Sequence, residues 1–302
     1  MEVLEDPASG QLLLMEDGKP VLAYNYSTVE PGEVVARTSP ANLKYARPRS
    51  NYIHPLIGPG GETLTLDWPV DHPHHRGIYW AWPEVEYGGE LGDLHALQRV
   101  FARPTGRKRL SRHREWARIE AENFWEWDDR GPVVREVAII HTTRSNPEGR
   151  FVDLEFYFTA LKDGVSLARR GTNAYGGLNI RLTQVEEQQI DFHTGNRSED
   201  PPGAWAELSG SFPGGETVAG ISVFQHPSNP DYPGDWVQFP ELNWFQPTFP
   251  ASGTRYALAV GEPLVLRFRL WVHRGRMSER AHSDVWKSFS RVPPIGSTLD
   301  GS

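Results

Sequence analysis

Apolar and polar residues alternate with a period of two along much of this chain. In the stretch 264–273 the even positions are all apolar, while the odd ones include Arg267, Arg269 and His273. This is the pattern of a strand with one face buried. Val152, Leu154, Phe156 and Phe158 alternate in the same way with Asp153, Glu155, Tyr157 and Thr159, as do Ala117, Ile119 and Ala121 with Arg118, Glu120 and Glu122. Similar runs predict strands over 11–15, 21–26, 33–38, 78–82, 133–142, 164–170, 178–182, 204–208, 220–225 and 236–239. One segment, 278–290, reads as a helix: Ser278 suits an N-cap, Glu279 falls in the first turn, and Ala281, Val285 and Phe289 recur four apart.

Many strands, one helix, and 29 glycines with 25 prolines as punctuation predict an all-β fold of two large antiparallel sheets, each about six strands wide or more. No fixed repeat, low-complexity block or linker divides the chain. Residues 1–302 therefore read as one β-sandwich domain, with a disordered tail over about 296–302.

Charge and composition narrow the function classes. A net charge of -8 disfavours a nucleic-acid partner, which needs a basic face. The local basic run 103–118, with Arg107, Lys108, Arg109, Arg112, Arg114 and Arg118, is expected as a solvated loop whose cations pair with Glu115, Glu120 and Glu122. The absence of cysteine removes disulfides, thiolate nucleophiles, zinc–thiolate sites and iron–sulfur clusters. No apolar run approaches a membrane span, and the start Met1-Glu2-Val3-Leu4-Glu5-Asp6 is acidic where a signal peptide is basic. A soluble, cytoplasmic protein is expected. The 11 tryptophans, 10 tyrosines and 13 phenylalanines are a rich aromatic supply, some of it expected in the core. Such rings also stack on the apolar faces of sugars.

The densest chemistry is Asp71-His72-Pro73-His74-His75-Arg76-Gly77. Five of the 11 histidines, His54, His72, His74, His75 and His95, lie between positions 54 and 95. Imidazoles titrate near neutrality and both donate and accept protons, so such a cluster points to acid/base or metal chemistry. Pro73 is expected to hold His72 extended, with His72 and His74 on one side. His72, His74 and one of Asp71, Glu84 or Glu86 make a candidate first-row metal site. His54 also precedes a proline and sits in an extended wall segment. Tyr175-Gly176-Gly177-Leu178-Asn179-Ile180-Arg181 allows close backbone approach and offers Arg181 to a carboxylate or hydroxyl. The proline-stiffened loop from His226 through Asn229 to Trp236 suits a binding edge. No zincin helix, phosphate-binding loop or Gly-x-Ser-x-Gly elbow is present.

The blocks Tyr52-Ile53-His54-Pro55, 71–77, Trp80-Ala81-Trp82, 175–178, 226–230 and 269–273 together resemble the PmoA-like family of bacterial proteins, over about residues 20 to 290. The resemblance implies a supersandwich like that of galactose mutarotases and a place in carbohydrate catabolism. On that basis the expected function is an enzyme that moves protons on a sugar or oxidised sugar, as a mutarotase, epimerase or lyase does. His74, His75, His72 and His54 are its candidate acids and bases, and Arg76 its oxyanion stabiliser. Trp80, Trp82 and Trp236 are candidate stacking platforms; Arg181, His226, Asn229 and His273 are candidate hydroxyl ligands. No cofactor is required by this scheme. A divalent-metal enzyme built on His72, His74 and Asp71, and a non-catalytic carbohydrate-binding module, are the alternatives. The partner expected in each case is a small carbohydrate, and the sequence leaves the oligomeric state open.

Overall fold

A computed structural model describes residues 1–195 and 202–299. The alternating segments form two eight-stranded antiparallel sheets. The first runs, in spatial order, Glu2–Asp6, Gln11–Glu16, Lys19–Asn25, Tyr52–Leu56, Ile78–Ala81, Gly177–Arg181, Trp244–Pro247 and Trp236–Phe239. The second runs Glu186–Phe192, Trp205–Ser211, Ala219–Gln225, Leu264–Arg274, Gly149–Ala160, Gly131–Thr143, Trp116–Trp127 and Val100–Arg112. A small sheet of Tyr256–Ala257, Ser166–Ala168, Glu84–Tyr87 and Glu90–Gly92 stands beside them.

The apolar halves of these strands face one another. Ile78, Trp80, Leu178, Ile180 and Phe245 of the first sheet share a continuous core with Ile140, Leu154, Phe158, Leu266, Phe268 and Leu270 of the second. Trp80 meets Phe156 and Phe158 edge to face across the interface, at centroid distances of 5.0 and 5.1 Å. The protein is thus an all-β sandwich. Among the described residues one helix is long, Glu279–Phe289, and it is capped by the Ser278 side chain, which accepts from the Ala281 amide. The helix covers the outer face of the second sheet, where Phe289 packs with Trp205, Phe224 and Trp271. Among the described residues no helix is long and apolar enough to cross a membrane.

Four segments depart from expectation. The stretch 33–38 is a helical turn, Val34–Arg37, because its buried positions, Val34 and Thr38, are four apart rather than alternate, and Thr38 Oγ1 bonds back to the Val34 carbonyl. The segment 164–170 keeps only Ser166–Ala168 as strand, since Gly171 at φ +57° turns the chain away. The basic run is no loop: it lies in the hairpin Val100–Arg112 and Trp116–Trp127. Arg107 does pair with Glu122, at 3.1 Å, and Arg114 with Glu115 at 3.3 Å. Glu120 instead receives the chain end, accepting from the amides of Thr298 and Leu299 and the hydroxyl of Ser297 at 2.6–3.1 Å. The segment 297–299, expected to be disordered, is therefore docked; 300–302 lie outside the described residues.

Candidate functional site

The candidate site lies on the outer face of the first sheet. Strand alternation that sends Ile78, Leu178, Ile180 and Phe245 into the core sends Tyr79, Asn179, Arg181, Trp244 and Gln246 the other way. Registers Tyr79↔Asn179 and Arg181↔Trp244 set these side chains next to one another. Two loops and the segment bearing Arg49 lie over them.

The first loop is the histidine block. His72, Pro73, His74 and His75 form a β-turn closed by the His75 amide donating to the His72 carbonyl at 2.8 Å. Proline at the second position pre-sets the backbone for such a turn. The turn, rather than an extended run, brings the rings together: His74–His75 centroids are 4.6 Å apart, His72–His75 5.0 Å and His72–His74 5.9 Å. The second loop delivers His95. Asp93 closes it by accepting from the Ala96 amide at 2.7 Å and from Arg170 at 2.6 Å. His95 then lies 4.5 Å from His74 and 5.2 Å from His75, centroid to centroid, with its Nδ1 on Tyr79 Oη at 3.0 Å.

Nitrogens of His74, His75 and His95 all fall within 4.8 Å of one another. His75 and His95 are buried and His74 is half-buried, so His74 stands nearest solvent. Burial, and then the charges of neighbouring groups, hold all three rings uncharged: His74 is pushed down to about 3, and His75 and His95 well below the usual histidine range. The neighbouring cations are Arg181 and Arg49, the latter lowered to about 10 by burial. Arg49 is held by the carbonyls of Leu94 and His95 at 3.0 and 2.5 Å, and lies over the Tyr79 ring.

Many polar atoms on this face lack a protein partner although buried. They are Nδ1 of His74 and of His75, Nε and Nη1 of Arg181, both amide atoms of Asn179, Nε2 of Gln246 and Nε1 of Trp244. Buried polar groups in folded proteins are almost always bonded, to protein or to something bound. Such a concentration on one face leaves bonding capacity there for water or another polar molecule.

Other expected site residues lie elsewhere. Arg76 is fully buried and paired with Asp67 and Tyr52, with Trp68 stacked on its guanidinium at 3.5 Å; its ion pair is made there, outside the group of His74, His75 and His95. Trp80 and Trp82 stack on each other inside the core and offer no face to a sugar. Trp236 bonds the Gly203 carbonyl and stacks on Phe245. His54 is bonded to Thr65 at 2.9 Å. His226 and Asn229 bind Arg267 at the second sheet, and His273 belongs to a different cluster on that sheet. Asp71 is engaged by His72 at 2.9 Å, with Arg181 at 3.6 Å. Glu84 and Glu86 pair with Arg255. The acidic ligands proposed for a His72/His74 metal site are thus otherwise occupied.

His95, assigned no role from sequence, is central, as are Arg49, Trp244 and Gln246. Asn179 and Arg181 carried a usable signal: two polar residues at alternate positions of an otherwise apolar strand. Arg49, Trp244 and Gln246 had none.

Fold and site together define a β-sandwich protein with a buried, polar imidazole cluster on an outer sheet face. The chain belongs to DUF6807, a family of unknown function whose model matches residues 11–287. No curated protein matches the chain.

Proposed function

We propose that the protein is an enzyme that transfers protons on a carboxylate-bearing sugar, using an imidazole of the His74–His75–His95 group. The observation that carries this reading is the company the three uncharged rings keep: the guanidinium groups of Arg49 and Arg181 both act on His74 and His75, against one partly exposed carboxylate, Asp71, which reaches Arg181 at 3.6 Å. That surrounding potential favours an anion. Arg181 keeps two guanidinium nitrogens without protein partners, suited to a carboxylate oxygen. Asn179 offers a donor and an acceptor to hydroxyls. A neutral imidazole is the form that removes a proton from carbon or oxygen, and a second ring beside it can return one. The resemblance to the PmoA-like family supports a sugar as the molecule acted on.

A second reading, a divalent-metal enzyme, is favoured by one observation: three imidazole nitrogens within 4.8 Å, two of their rings with an unpartnered Nδ1. His74, His75 and His95 would hold the ion, which would polarise a substrate oxygen. Arg49 and Arg181 oppose a cation there, which places this reading second.

The test is NMR-monitored incubation with uronates, aldonates, keto-sugars and the matching neutral sugars, beside metal analysis of untagged protein purified without chelator. The first reading expects turnover of an acid sugar without stoichiometric metal at this site. It also expects His74→Gln/His75→Gln to abolish that turnover, and Arg181→Gln to raise KM for the acid sugar alone. Turnover indifferent to the double substitution, or saturable binding with no turnover of any of these sugars, overturns it.

A further inference from the structure

A second convergence of ligating side chains lies on the opposite side of the sandwich, between the outer face of the second sheet and the helix. Registers Glu207↔Ser222 and Gly220↔His273 bring Glu207, Ser222 and His273 to that face, and His282 descends on them from the helix. Glu207, His273 and His282 are all buried, and their ligand atoms lie within 4.8 Å of one another. Glu207 Oε2 is 3.0 Å from His282 Nε2, and Oε1 is 3.5 Å from His273 Nε2. Ser222 Oγ lies 2.8 and 3.1 Å from the same two nitrogens.

Proton inventory makes this arrangement incomplete. His273 Nδ1 is 3.0 Å from the Gly275 carbonyl, and His282 Nδ1 is 3.0 Å from the Ser278 carbonyl. A carbonyl only accepts, so each Nδ1 carries the hydrogen, and in a neutral ring each Nε2 presents a lone pair. Two lone pairs and two carboxylate oxygens then surround one hydroxyl hydrogen, that of Ser222. Glu207 Oε1 is buried with no hydrogen-bond partner. A hydrolytic triad is the wrong description, because there the serine and the carboxylate engage opposite nitrogens of one imidazole; here they meet the same one.

We propose that Glu207, His273 and His282 form a binding site for a first-row divalent transition metal that fastens the C-terminal helix to the sheet. Two imidazole nitrogens and one carboxylate are a recurrent ligand set for Zn²⁺ and Fe²⁺. The carbonyls of Gly275 and Ser278 supply the supporting bonds that fix ring orientation and tautomer at such centres. Gly220 makes room: a Cβ there would stand 2.4 Å from His273 Cε1 and 2.9 Å from Nε2. Access is offered by a cavity of about 340 Å³ whose wall includes Glu207, His282, Met277 and Glu279.

The site differs in residues and location from the His74 cluster, so its test is independent of the proposed activity. Untagged protein stripped with chelator is titrated with Zn²⁺ and with Co²⁺, read by metal analysis, thermal melting and the visible Co²⁺ spectrum. Wild type is expected to take up one equivalent that raises its Tm. His282→Gln and the near-isosteric Glu207→Gln are each expected to lose that equivalent and the Tm rise, while His74→Gln/His75→Gln keeps both. If either variant fails to fold, the other and Gly220→Ala, which crowds His273, carry the comparison. Wild type that binds neither ion with a change in Tm, or metal uptake unchanged in the Glu207 and His282 variants, overturns the proposal.

Discussion

His74 and His95 meet edge to face, with ring centroids 4.5 Å apart and planes at 81°, although a strand and a hairpin separate them in sequence. The contact depends on Asp93, which folds the second loop back over the sheet. Its Oδ1 caps the Ala96 amide and its Oδ2 holds Arg170. Removing that carboxylate leaves a buried amide and a guanidinium without their acceptor. Asp93→Ala is expected to cost about 1–3 kcal/mol and to weaken binding at the imidazole cluster, read by urea denaturation and by titration with an acid sugar. A variant of unchanged stability and affinity would show that His95 is placed by other contacts.

Neutrality of the cluster fixes the sign of its pH dependence. In the unliganded protein burial and nearby cations hold His74 down to about 3, so across pH 5–8 kcat/KM should carry no acid limb from it. A bound carboxylate compensates Arg181, one of the charges that depresses both His74 and His75. Their bound-state pKa values therefore rise, and the acid limb of kcat is expected at higher pH than that of kcat/KM. Coincident limbs in the two profiles would contradict this coupling.

Arg76 belongs to stability rather than to chemistry. It is fully buried against Asp67, Tyr52 and Trp68, and removing one partner of a buried pair strands the other charge. Arg76→Met is expected to lose about 3–5 kcal/mol in denaturant titrations, with KM of the remaining folded enzyme unchanged. Unaltered stability accompanied by lost turnover would return Arg76 to the active site.

The architecture was legible because period-two alternation is written directly into strands such as Leu264–Arg274, and because Ser278 caps the helix as its sequence indicates. The existence of an imidazole cluster was legible too, since Pro73 and the crowding of His72, His74 and His75 are local. Membership was not. Arg76 sits within the same block, yet its partner Asp67 is supplied by a bridge to another segment, and no local pattern announces that pairing. Trp80 and Trp82 look like a sugar platform only until sheet packing turns them inward. His273 alternates as an outward polar residue, as expected, but its neighbours Glu207 and His282 come from a distant strand and from the helix.

Gly77 is the hinge that lets the histidine block leave the sheet. Its φ is +63°, and a Cβ would stand 2.2 Å from the Ile53 carbonyl oxygen and 3.1 Å from His54 Cβ. Ile53 is bridged to Ile78 in the sheet, so that oxygen cannot retreat. Gly77→Ala is expected to cost more than about 3 kcal/mol, lowering Tm by about 6 °C or more. Gly61→Ala is the control: φ is +95° with nothing within 4 Å of the added carbon, so it reports backbone strain alone. Equal losses in the two variants would show that the clash contributes nothing.

Glu136 gives the sandwich a pH-dependent weakness away from both clusters. Its carboxyl is fully buried, with Oε2 accepting from Asn51 Nδ2 at 2.8 Å and Trp125 Nε1 at 2.6 Å, and burial pushes its pKa up to about 7. In the unfolded chain the group titrates near the ordinary glutamate value. Below that value both states are protonated and the contribution is fully favourable. As pH rises towards 7 the unfolded chain releases its proton first, so folding loses free energy across this window and the loss is complete above it. Glutamine keeps one oxygen for both donors and cannot ionise. Glu136→Gln is therefore expected to raise Tm over wild type by a few degrees at pH 8 and by much less at pH 5, measured by thermal melts at matched ionic strength. An offset that is the same at both pH values would mean that Glu136 is not the group that titrates.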